Sequence, residues 1–161
     1  MFTTTPFSVW DLNEDLKAGL DSIGWEFATQ VQKETIPLAL AGNDVIGQAR
    51  TGSGKTAAFG LPTMNACQPT GELQALILAP TRELANQVAE ELSNIQGEAG
   101  LKIQTVYGGT DLEKQAKTLQ AGVDIIVGTP GRVMDMTERG YINLENPKFF
   151  VLDEADRMLD M

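Results

Sequence analysis

Apolar residues recur at helical spacing near the start of the chain. Leu16, Leu20 and Ile23 share one face of a segment over 13–23, which Gly24 stops. A second helix is predicted over 29–41, ended by Gly42. The period then changes. Short, mainly apolar runs at 45–48, 75–78, 103–107, 124–127 and 149–152 read as strands. Between them lie amphipathic stretches read as helices: one from Lys55, one from 81 to about 95, one over 111–119, and one capped by Thr129 with Pro130 at its first position and Gly140 as its stop. Mainly apolar strands alternating with helices indicate an α/β fold, a mostly parallel sheet with helices on both faces. There is no internal repeat, low-complexity tract or linker, so residues 1–42 and 43–161 are expected to form one domain together. Met158-Leu159-Asp160-Met161 follow the last strand without a cap or polar tail, which suggests a fold incomplete at its C-terminal end.

Composition narrows the chemistry. The 161 residues are 42% hydrophobic, enough for one core, but no apolar run approaches the roughly 20 residues that span a membrane. The first residues carry no signal-peptide pattern, so a cytoplasmic, membrane-free and monomeric protein is the default expectation. The chain has no histidine, which excludes Ser-His-Asp, Cys-His and histidine-zinc sites built within it. Cys67, the one cysteine, cannot form an internal disulfide and reads as a small buried residue in the helix after the glycine-rich turn. The net charge of −10 counts against nucleic acid, since Lys and Arg contacts to phosphate dominate that affinity.

The strongest chemical signal is Ala49-Arg50-Thr51-Gly52-Ser53-Gly54-Lys55-Thr56, between a predicted strand and a predicted helix. Glycines there let successive N–H groups face phosphate oxygens, and the helix adds its positive end. Lys55 would neutralise the β- and γ-phosphates, and Thr56 would give its hydroxyl to Mg²⁺. Ala49 stands where the strict pattern has glycine, and a plain Gly-Ser turn is the bland alternative. The second signal is Asp153-Glu154 at the C-terminal edge of the last predicted strand, the edge where ligands bind in open parallel sheets. Asp153 would hold the Mg²⁺ and Glu154 would act as general base on the attacking water. An acidic helix start is the structural alternative for that pair.

Asp153-Glu154-Ala155-Asp156 spells the name of the DEAD-box RNA helicases, and the chain resembles them in order from about Phe7 to Asp156. Gly24 to Gln32 resembles their adenine-reading Q motif, with Phe7 in the place of an upstream aromatic. Pro80-Thr81-Arg82-Glu83-Leu84-Ala85-Asn86-Gln87 resembles motif Ia, Gly108-Gly109 the GG element, and Thr129-Pro130-Gly131-Arg132 motif Ib. The resemblance implies a RecA-like P-loop NTPase domain, with ATP and Mg²⁺ as cofactors. It implies that Gln32 reads adenine, although Thr29-x-x-Gln32 is also a capping box for its own helix. Trp25 replaces the family's usual Phe or Tyr, and Ala28 its usual Pro. The RNA-facing residues would be Pro80, Thr81, Arg82, Gly109, Thr129, Pro130, Gly131 and Arg132. Helix N-termini at Thr81 and Thr129 could bind phosphate without net positive charge, or both threonines could be caps only. The acidic excess then predicts weak RNA affinity for this stretch alone.

The resemblance further implies a second RecA-like domain and a Ser-Ala-Thr motif, neither within these residues. An ATP-dependent RNA helicase is therefore expected for the parent protein. Little turnover is expected from this polypeptide, which as a standalone chain would be a nucleotide- and RNA-binding module. A DNA-directed P-loop helicase is the further alternative, while a nucleoside kinase lacks the DEAD, PTRELA and TPGR elements.

Overall fold

The computed structural model describes residues 2–42, 54–109, 111–145, 147 and 149–152. The chain divides into two compact units, Met1–Ala66 with Glu91–Gly100, and Cys67–Glu90 with Leu101–Met161. Among the described residues, no helix is long and apolar enough to cross a membrane.

The first unit opens with β1 (Phe2–Pro6) and a 3-10 turn at Phe7–Val9. Helix α1 (Glu14–Ser22) follows. The Asn13 side chain caps it by accepting from the Leu16 N–H, and Leu16 and Leu20 form its buried stripe. Strand β2 (Phe27–Thr29) pairs antiparallel with β1, Phe2 opposite Thr29 and Pro6 opposite Phe27, with an irregularity between. Neither strand is evident in the hydrophobic pattern. The sequence reading began the next helix at Thr29; that residue is its cap, and α2 runs Gln30–Leu40. Helix α3 (Lys55–Asn65) begins at Lys55 as expected. The predicted strand at 45–48 lies outside the described residues. Asn65 ties the end of α3 to the start of α1, accepting from the Asn13 N–H at 2.7 Å.

The second unit holds a four-stranded parallel sheet in the order β4-β5-β3-β6: β3 (Ala75–Leu78), β4 (Ile103–Val106), β5 (Ile125–Gly128) and β6 (Phe149–Leu152). Ala75 pairs with both Ile125 and Phe149, and Ile103 with Ile125, so the strand ends are in step. Helix α4 (Arg82–Ile95) follows β3 and buries Ala85, Val88, Leu92 and Ile95 at helical spacing. Helices α5 (Leu112–Gln120) and α6 (Pro130–Glu138) cover one face of the sheet. Ala116, Leu119, Val133 and Met136 pack there with Leu76, Val106 and Ile126. Ile77, Ile125 and Val127 on the opposite face are also buried, the two-sided burial that a covered parallel sheet requires.

Two expectations need correction. Cys67 lies beyond α3, whose last carbonyls are met by the Ala66 cap; Pro69 disfavours helix at the residue before it. Cys67 is nonetheless buried. Burial, then the charge of Asp124, pushes its thiol up to about 11. Asp124 is not the first residue of β5 but the anchor before it. Its fully buried carboxylate accepts main-chain N–H bonds from Thr70, Gly71 and Lys102 at 3.1, 2.8 and 2.8 Å, and one from the Gln74 amide at 3.1 Å. It thereby fastens two loops to the N-terminal edge of the sheet.

Candidate nucleotide site and nucleic-acid groove

In the first unit, Thr29 and Gln32 form a complete capping box. The Thr29 hydroxyl accepts from the Gln32 N–H at 3.4 Å, and the Gln32 Oε1 accepts from the Thr29 N–H at 2.8 Å. Gln32 is almost fully buried, and its Nε2 donates to the carbonyl of Gly54 at 3.1 Å. The amide is thus shared between its own helix and the last residue before α3. Gly54 caps α3 with φ of 86°, a left-handed conformation natural to glycine. A Cβ there would run into the Gln32 amide and come 2.8 Å from the Thr29 hydroxyl oxygen. Lys55 opens α3 and Thr56 is buried in its first turn. A positive helix end, a lysine and a hydroxyl in sequence suit a phosphate–Mg²⁺ ligand. Ala49, Arg50, Thr51, Gly52 and Ser53, and also Asp153 and Glu154, lie outside the described residues. Phe7 is buried, with its ring stacked on Trp25 at a centroid distance of 6.3 Å and edge-on to Trp10 at 5.9 Å.

In the second unit, three adjacent strands end together and release three loops at the C-terminal edge of the sheet. β3 leads to Pro80 and Thr81, β4 to Tyr107 and Gly108, and β5 to Thr129 and Pro130. With Arg82, Gly131, Arg132 and Asp135 these residues line a groove of about 500 Å³. Seven of the eight expected RNA-facing residues line it. The eighth, Gly109, stands beside it, a Cβ there falling 3.7 Å from Arg82 Nη1. Tyr107, Gly108 and Asp135 complete the wall and were not singled out as contacts by sequence.

Each cation in the groove is held. The Arg82 guanidinium lies over the Tyr107 ring, 4.9 Å from its centroid. Arg132 donates from Nη1 to Gln115 Oε1 at 3.2 Å. Asp135 accepts from Arg139 Nε at 2.9 Å, an exposed pair one helical turn apart; that hydrogen bond raises the Arg139 pKa. The two threonines behave differently. The Thr81 hydroxyl caps α4, accepting from the Leu84 N–H at 3.2 Å. Thr129 is the N-cap of α6 with Pro130 next, as expected, but its hydroxyl makes no cap bond. Pro130 removes one donor from the first turn, and the Thr129 main chain holds the corner instead, donating to Val106 O at 3.0 Å and accepting from the Val133 N–H at 3.1 Å. Gly128 permits that corner, because a Cβ there would come 2.8 Å from Val106 O. The first turn of α6 therefore faces the groove without its donors being taken by the Thr129 hydroxyl.

Comparison with known proteins places this geometry. The chain is 51% identical over 158 residues to the RNA helicase CrhR of Synechocystis sp., covering 98% of this chain and 32% of that protein. It is 49% identical over 156 residues to the DEAD-box ATP-dependent RNA helicase CshA of Streptococcus pneumoniae, covering 96% and 30%. The chain thus spans about a third of the length of the curated relatives it matches. The crystal structure of a DEAD box protein from the hyperthermophile Methanococcus jannaschii superposes with a TM-score of 0.92 at 42% identity, covering all of this chain and 44% of that one. A hypothetical ATP-dependent RNA helicase from Sulfolobus tokodaii matches with a TM-score of 0.84 at 38% identity, covering 93% and 44%. The family model described as DEAD/DEAH box helicase matches residues 29–161, and with it the chain belongs to that family.

Proposed function

We propose that this chain is the ATP-binding part of an ATP-dependent RNA helicase, coupling Mg-ATP binding to the grip on a single RNA strand. One observation carries the RNA half of the reading: residues far apart in sequence, from 80 to 135, converge on a single groove with two arginines and two helix starts. Main-chain N–H groups and fixed guanidinium groups suit a sugar–phosphate backbone and need no base-specific contact. They also answer the net charge of −10, because local donors can bind phosphate on an acidic protein.

For the nucleotide, residues 49–56 would cradle the phosphates and Lys55 would neutralise them. Thr56 and Asp153 would hold Mg²⁺, which supplies charge neutralisation on the phosphates when bound. Glu154 would accept a proton from the attacking water, and Gln32 would turn from Gly54 to the adenine edge. Phe7 and Trp25 would support that end of the site. A second RecA-like domain in a longer protein would complete the cleft, so that turnover and unwinding belong to that protein. Melting with and without Mg-ATP tests the nucleotide assignment. ATP should raise the melting temperature of the parent and leave Lys55→Ala unmoved; an equal rise in both proteins would refute it.

A further inference from the structure

We propose that Gln115 is a positioning residue that holds both cationic walls of the groove in place for an RNA strand. This rests on the reading of the groove as an RNA site. Gln115 lies on α5 and is not itself a wall of the groove. Its side-chain amide reaches two walls at once. Nε2 donates to the Tyr107 carbonyl at 3.1 Å, and Oε1 accepts from Arg132 Nη1 at 3.2 Å. Tyr107 in turn carries the Arg82 guanidinium on its ring. One neutral group thus connects the loop after β4, the first turn of α6 and, through the tyrosine, the first turn of α4.

Gln115 is itself held. Its main-chain carbonyl accepts from Gln104 Nε2 at 3.3 Å, from the neighbouring strand β4. The Oε1 of the same amide is buried and has no hydrogen-bond partner among the described residues.

The residue type matters. An amide donates and accepts together, which neither a carboxylate nor an ammonium can do. Glutamate at 115 would set an oxygen against the Tyr107 carbonyl and cancel the charge of Arg132. A neutral acceptor positions the guanidinium without itself cancelling charge, which matters in a chain with 12 basic and 22 acidic residues. Fixing a long arginine before the ligand arrives also lowers the entropy lost on binding.

The test is fluorescence anisotropy with a labelled single-stranded oligouridine at low salt. Gln115→Met keeps length and volume but makes neither hydrogen bond. It should weaken binding on the order of tenfold, the scale of one hydrogen bond to a charged group. That loss should shrink when Arg132 is already alanine, since part of the positioning acts through Arg132. Gln115→Glu should also bind weakly, and its affinity should depend less steeply on salt, by about one phosphate contact. Parent-like binding by both Gln115 variants, with Arg132→Ala weakened, would overturn the proposal and spare the groove. So would a Gln115→Met loss that persists undiminished beside Arg132→Ala. If Arg132→Ala binds like the parent, the groove reading fails and the role of Gln115 falls with it.

Discussion

Replacing Gln32 by alanine should destabilise the protein before any nucleotide is added. Two bonds disappear together. The Thr29 N–H loses its acceptor at 2.8 Å, leaving only the Thr29 half of the capping box, and the Gly54 carbonyl loses the Nε2 donor at 3.1 Å. The Gly54 carbonyl keeps its helical partner, the Ala58 N–H at 3.1 Å, so only the Thr29 N–H is orphaned. One buried orphan donor costs about 1–3 kcal/mol, and the lost bond to Gly54 adds about 1 kcal/mol. A total near 3 kcal/mol follows, or roughly 6–12 °C in melting temperature for a chain of this length. Differential scanning fluorimetry without ligand measures it. Gln32→Glu keeps an acceptor for Thr29 but faces the Gly54 carbonyl with an oxygen, so it should recover only part of the loss. An alanine variant that melts within about 2 °C of the parent would show that the capping box and the Gly54 contact contribute little.

Other consequences are as direct. Asp124→Asn places an NH₂ group against one of the main-chain donors that the carboxylate now accepts, and should cost about 2–4 kcal/mol in urea unfolding; an unchanged midpoint would contradict the anchoring role. The folded thiol of Cys67 titrates near 11, above its ordinary value of 9.0, so the unfolded chain ionises first as pH rises. The corresponding stability is fully present below pH 9 and is lost between pH 9 and 11, by up to about 2 kcal/mol. Urea titrations across that window should show the decline in the parent and a smaller one in Cys67→Ala.

Much of this architecture was legible in the sequence. The bounds of β3 and β6 follow from their apolar runs, and the predicted helices over 13–23, 29–41 and 111–119 each begin at the residue that caps the observed one. What escaped has physical reasons. Strand β1 is rich in threonine and ends in Pro6, and its partner β2 is three residues long; their pairing is a long-range fact that no local period encodes. Tyr107 reads as the last residue of a strand, yet it turns out of β4 to carry Arg82. The groove itself depends on the strand order β4-β5-β3, which sets three loops side by side. Sequence could name Arg82 and Arg132 through resemblance. It could not show that Tyr107 and Gln115 hold them.

The central claim is that the groove at residues 80–135 grips an RNA backbone. Amide chemical-shift mapping of the ¹⁵N-labelled chain, titrated with single-stranded oligouridine, tests it most directly. The account predicts saturating shifts at Thr81, Arg82, Gly108, Gly109, Gly131 and Arg132, weakened by salt and lost in Arg82→Ala. Shifts confined to other surfaces, or none at saturating RNA, would contradict it.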